Sequence, residues 1–104
     1  MSSSPTQRSL KLMRERGYLC EITERWNPFA KIRQDLFHFV DVLCIKDGET
    51  VAVQTTSYSN ISARVKKISE LDTAPIVKLA GWKIIVQGWR KDKSGKWVVR
   101  EVEL

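Results

Sequence analysis

Phe37-His38-Phe39-Val40-Asp41-Val42-Leu43-Cys44-Ile45 and Thr50-Val51-Ala52-Val53-Gln54-Thr55-Thr56-Ser57 are two apolar runs separated by Lys46-Asp47-Gly48-Glu49. β-Branched and aromatic side chains suit strands, and Asp-Gly suits a tight turn. The spacing predicts an antiparallel hairpin. With a period of two, Phe37, Phe39, Asp41, Leu43 and Ile45 share one face of the first strand, and His38 lies on the opposite face. Ala52, Gln54 and Thr56 share one face of the second strand, and Val51, Val53 and Thr55 share the other. Asp41 and Gln54 are then expected side by side. A carboxylate among apolar neighbours is costly unless it is paired, hydrogen-bonded or bound to a metal. The pair of runs therefore marks a candidate site.

Upstream, residues 6–16 read as a helix with Leu10 and Met13 on its apolar stripe and Gly17 as its C-terminal cap. Residues 18–26 alternate as a strand, Asn27-Pro28 breaks it, and residues 29–35 form a basic connector holding Lys31 and Arg33. Downstream, Ser59 or Asn60 is suited to cap a helix over 61–71, with Ile61, Val65, Ile68 and Leu71 on one stripe. Arg64, Lys66 and Lys67 project elsewhere. Thr73 is expected to cap a second helix over 74–80, where Pro75 is tolerated in the first turn and Gly81 ends it. Residues 82–89 read as a strand covered on both faces. Residues 91–96 form a turn, and 97–104 a last strand with Val98, Val102 and Leu104 on one face. The order α-β-β-β-α-α-β-β predicts an α/β (α+β) domain with a mixed sheet flanked by helices.

The chain has 104 residues, 42% hydrophobic and 29% charged, as expected of a single domain. Residues 1–5 are expected to be a disordered lead and 6–104 the domain. No apolar stretch approaches the roughly 20 residues that span a bilayer, and the N-terminus lacks an apolar signal core. Cys20 and Cys44 lack metal-site spacing and read as buried free thiols of a reducing cytoplasm. The formal charge of +6 favours a polyanionic partner such as nucleic acid.

Arg14-Glu15-Arg16-Gly17-Tyr18, Asp35 to Leu43 and Val51 to Ser57, set in an αβββαβ order with an acid on the second strand and a polar string ending the third, resemble the PD-(D/E)XK nuclease superfamily. Within it the chain is most similar to small phage and bacterial relatives of archaeal Holliday-junction resolvases. The resemblance covers roughly residues 6–88 and leaves the last strand as an addition. It implies a restriction-endonuclease-like core and Mg²⁺- or Mn²⁺-dependent hydrolysis of DNA, including branched, recombination or repair DNA. The setting it implies is the cytoplasm of a bacterium or phage-infected cell. The family's first acid falls on Asp41, its second on Gln54 and its lysine on Thr56. Asp41 and Gln54 would hold the metal, and Asp41, Gln54 and Thr56 would form the catalytic set. Arg64, Lys66 or Lys67 would stand in for the lysine, and with Lys31 and Arg33 would contact DNA. The resolvase branch also carries an acid early in the first helix, where this chain offers Gln7. Glu21 and Glu24 are available on the first strand, but spacing singles out neither.

Plainer readings stand beside these. Asp41 could pair with Arg33 or Lys31, Asp35 could cap a strand entry, and Thr56 and Ser57 could form a turn. Arg64, Lys66 and Lys67 could be a solvated helix face. His38 and most of the tryptophans would be packed, while an exposed tryptophan could stack on bases. The same chain could be a degenerate nuclease that binds DNA without cutting, or an RNA-binding or protein-interaction module. A homodimer is expected if both strands of a duplex are cut.

Overall fold

The computed structural model describes residues 4–104. Helix α1 spans Pro5–Glu15, and strand β1 spans Leu19–Ile22. Short strands β2 (Arg25–Asn27) and β3 (Ile32–Gln34) precede β4 (Val42–Lys46) and β5 (Glu49–Ser57). A 3₁₀ turn over Tyr58–Asn60 leads into α2 (Ile61–Ser69), α3 (Thr73–Leu79), β6 (Lys83–Lys91) and β7 (Trp97–Glu103). One five-stranded sheet runs in the order β1-β4-β5-β6-β7, and β2 and β3 form a separate two-stranded ribbon. The β5–β6 pairing is parallel, and the other pairs are antiparallel. The domain is thus a mixed α/β fold, with the crossover through α2 and α3 supplying the parallel connection. No described helix is long and apolar enough to cross a membrane.

The β4–β5 hairpin forms as its alternation predicts. Asp47 and Gly48 both take positive φ, at 47° and 77°, which is the geometry of a two-residue turn with the right twist. β5 is the third strand of five and is buried along Val51–Thr56, because helices cover both of its faces. On one side Leu10 and Met13 of α1 pack with Cys20, Val42, Cys44, Val51 and Val53. On the other, Ile61 and Ile68 of α2 and Ala74 and Val77 of α3 pack with Ala52, Ile84 and Val86. Cys20 and Cys44 are free, buried and directly opposed across β1 and β4, and burial pushes the Cys44 thiol pKa well up.

Several boundaries differ from expectation. Ser4 caps α1 by accepting from the Gln7 N–H, and Pro5 opens the helix, so these residues are part of the domain; residues 1–3 of the expected lead lie outside the described residues. The strand expected over 18–26 ends at Ile22, because Arg25–Asn27 turns away to pair with the supposed connector. The strand expected from Phe37 begins only at Val42. Leu36 and Val40 exchange backbone hydrogen bonds and close a loop over 37–39, with Phe37 and His38 at φ of 53° and 72°. Phe37 therefore cannot share a strand face with Asp41, and His38 is exposed rather than packed. Thr73 lies inside α3 rather than capping it, and its hydroxyl donates to the Phe37 carbonyl at 2.7 Å. Neither Ser59 nor Asn60 caps α2 with its side chain; the 3₁₀ turn leads into the helix instead.

Gly88 of β6 sets how closely the 3₁₀ turn and α2 approach the sheet. A Cβ there would run into the Ile61 side chain and lie 3.1 Å from the Tyr58 Cα. Gly88→Ala is expected to destabilise the domain by about 1–3 kcal/mol through overpacking. Urea unfolding checks this as a lower midpoint with an unchanged slope.

Candidate functional site

Asp41 sits just before β4 and directly opposite Gln54 when the β4–β5 register is extended by one pair. Its backbone is held from both sides: its N–H donates to the Val53 carbonyl at 2.9 Å, and its carbonyl accepts from the Thr23 N–H at 2.8 Å. The residue is 4% exposed. One carboxylate oxygen, Oδ2, accepts from Gln54 Nε2 at 2.8 Å, from the Thr55 N–H at 2.8 Å and from Thr55 Oγ1 at 3.2 Å. The Thr55 hydroxyl lies 3.0 Å from the Thr6 hydroxyl of α1. The sheet and the first helix together immobilise this carboxylate.

Two further acids reach it. Carboxylate oxygens of Glu24, Asp35 and Asp41 lie within 4.8 Å of one another. Glu24 arrives from the break between β1 and β2, and Asp35 from the residue after β3. Among the described residues, Glu24 pairs with Arg33 at 2.8 Å, and neither Asp35 nor Asp41 is in an ion pair. Burial is the main force pushing the Asp41 pKa up from 3.8 to about 6, and the adjacent Asp35 carboxyl pushes the same way. The donors on Thr55 and Gln54 pull against that shift without cancelling it.

The three acids lie in an open cleft of about 460 Å³. Pro5 and Thr6 line it from α1, Gln54 to Ser57 from the end of β5, and Asn60 and Arg64 from the start of α2, with Arg33 on the ribbon side. Of the expected basic residues, Arg33 and Arg64 line the cleft, while Lys31, Lys66 and Lys67 are exposed and outside its lining. Arg33 is held by Glu24 and not by Asp41. Thr56 is buried and lines the cleft without supplying a charge. Gln54 is 2% exposed, directs its amide nitrogen at Asp41, and leaves its buried Oε1 without a hydrogen-bond partner.

The donor set suits a hard divalent cation. Carboxylate oxygens are the ligands Mg²⁺ and Mn²⁺ select, and a bound dication would relieve the repulsion among three neighbouring acids. The orphaned Gln54 Oε1, buried at the wall of the same cleft, is a second sign that a polar partner belongs here. The expectation from sequence paired Asp41 with Gln54 alone. Glu24 and Asp35 are the residues it did not single out, since neither interrupts an apolar run as Asp41 does.

No protein-family model matches the chain, and no curated protein or solved structure matches it significantly.

The raised Asp41 pKa has a consequence for stability. Well below its ordinary pKa of 3.8, the carboxyl is protonated in the folded and unfolded chain alike. Between about pH 4 and the folded value of about 6, the unfolded chain releases the proton that the folded chain keeps, so stability falls by roughly 2–3 kcal/mol as pH rises through this window. Asp41→Asn should flatten that part of the profile in metal-free buffer. The measurement is the difference between wild-type and variant unfolding free energies at several pH values, which cancels contributions from acids remote from Asp41 and reports Asp41 together with its neighbour Asp35. Identical profiles would refute the assignment.

Proposed function

We propose that this protein is a metal-dependent deoxyribonuclease of the PD-(D/E)XK type, hydrolysing phosphodiester bonds in the cleft at the end of β5. The observation that carries the reading is the convergence of Glu24, Asp35 and Asp41 in a cleft that also presents Arg33 and Arg64. The element order supports it. α1, the β1-β4-β5 meander, the helical crossover and the parallel strand β6 give the αβββαβ arrangement that the resemblance implies.

Each residue has a role that follows from its position. Asp41, Asp35 and Glu24 would hold the cation, and Asp41 is the best anchored of the three because Gln54 and Thr55 donate three hydrogen bonds to its Oδ2. When bound, the cation supplies charge neutralisation on the scissile phosphate and a water activated towards attack. Gln54 and Thr55 orient Asp41 rather than carrying charge. Arg64 takes over the positive charge that Thr56 cannot supply, and it enters the cleft from α2 to meet the phosphate. Arg33 balances Glu24 and flanks the DNA entrance. A pair of chains, each with one cleft, would cut both strands of a branched or linear duplex in the cytoplasm of a bacterium or infected cell.

Asp41→Asn keeps the size and acceptor oxygen of the side chain but removes its charge. It should lower Mg²⁺- or Mn²⁺-dependent cleavage by on the order of 10²–10⁴-fold, the loss of several kcal/mol of charge stabilisation, while DNA binding persists. The assay compares linear, single-stranded and branched DNA with each metal. Wild-type protein that binds DNA and cuts none of them with either metal would replace this reading with that of a DNA-binding relative that has lost catalysis.

Arg64→Ala should reduce cleavage by about 10–100-fold with a smaller change in DNA affinity, since its cleft position suits transition-state charge. Lys66→Ala and Lys67→Ala, on the exposed part of α2, should alter only affinity and its salt dependence. Single-turnover cleavage beside equilibrium binding separates the two effects. The lysine-replacement role passes to α2's outer face if the pattern is reversed.

A further inference from the structure

Tyr58 opens the 3₁₀ turn after β5 and stands between Ser57 and Asn60, both of which line the cleft. It is 36% exposed. The Arg90 guanidinium lies 5.0 Å from the Tyr58 ring centroid and the Arg100 guanidinium 6.0 Å from it. Arg90 belongs to β6 and Arg100 to β7, where Arg100 pairs with Gly88 and Arg90 with Val98. The strand period places Gly88, Arg90 and Arg100 on the face that Tyr58 and Ile61 approach at Gly88. Both arginines are exposed. Among the described residues neither forms an ion pair, and Asp92 in the following turn accepts from Ser94 and Lys96 and interacts with Arg90 only through its field. An exposed ring with two guanidinium groups near it, neither in an ion pair, thus belongs to the turn whose Ser57 and Asn60 line the cleft.

We propose that Tyr58, Arg90 and Arg100 form a landing for a DNA strand leaving the cleft, with an unpaired base on the Tyr58 ring and the flanking phosphates on the two arginines. The proposal rests on the DNA reading of the cleft and extends it to the chemistry of the substrate. Aromatic stacking accepts any base, and it requires that base to be out of its pair. Guanidinium groups bind phosphate whatever the sequence. Together they select a substrate with a single-stranded segment beside the scissile bond, rather than a continuous duplex. β7, which carries Arg100, lies outside the αβββαβ core, so this preference belongs to an added strand of this chain.

The test is fluorescence anisotropy in metal-free buffer with a labelled duplex bearing a single-stranded overhang and the same duplex with blunt ends. Tyr58→Leu keeps the net charge. It should weaken overhang binding by about 5- to 100-fold, the loss of one stacked base, and leave blunt-duplex binding unchanged. Tyr58→Phe keeps the ring and should bind as the wild type does. Arg90→Ala with Arg100→Ala should lower the slope of log affinity against log salt on overhang DNA by about 1.4–1.8, two phosphate contacts. Thermal melts establish that each variant is folded, and the arginine pair carries the test alone if Tyr58→Leu does not fold. Overhang binding unaffected by the folded variants overturns the landing and leaves the nuclease reading in place. Tyr58-dependent overhang binding without cleavage overturns catalysis and supports the landing. Tighter, Tyr58-dependent binding of an RNA overhang, or no binding of DNA at all, overturns the DNA landing.

Discussion

The Asp41 carboxylate is the interaction on which the rest of the arrangement depends. Its Oδ2 accepts three hydrogen bonds from Gln54 and Thr55, and its backbone bridges Val53 on one side and Thr23 on the other. A buried carboxylate with this many donors is held in position far more firmly than a surface acid. It therefore ties β5 to the end of β1 at the point where the ribbon leaves the sheet. Thr6 completes the link to α1 through Thr55. Removing the acid would leave Gln54 Nε2 and the Thr55 N–H without their partner, so the same group that serves the site also locks the sheet's open end.

That lock carries an electrostatic cost. Burial, and after it the neighbouring Asp35 carboxyl, holds the Asp41 pKa above its ordinary value, and of the three carboxylates within 4.8 Å only Glu24 is in an ion pair among the described residues. A fold selected only for stability would place a cation or an apolar side chain there. The cost is understandable if a dication joins the acids, and the positive residues around the cleft are then the complement for a phosphate brought to that dication. Gly88 contributes at a distance. By letting the 3₁₀ turn lie close to β6, it brings Tyr58 within reach of the arginines of the last two strands.

Sequence determines most where the pattern is local. The hairpin of β4 and β5, the stripes of α1 and α2, and the doubly covered β6 all follow from periodicity over a few residues. At 37–39 apolar composition suggests a strand, but two successive left-handed residues make a loop. Phe39 is buried there all the same, because a loop can deliver a side chain to a core without strand geometry. At 25–34 the break at Asn27-Pro28 is the tip of a ribbon whose two short strands pair only with each other, a pairing that no local pattern announces.

By itself, the sequence determined that Asp41 stands opposite Gln54. Strand alternation and an Asp-Gly turn between residues 46 and 49 leave little freedom in register, and a one-residue slip would reverse every buried side chain. Only the tertiary structure decided that Glu24 and Asp35 join Asp41 while Lys31, Lys66 and Lys67 stay outside the cleft lining. Those placements depend on where the chain leaves the sheet after Ile22, how the ribbon folds back, and which turn of α2 faces the end of β5. Such choices are made by packing between elements distant in sequence, and no local period encodes them.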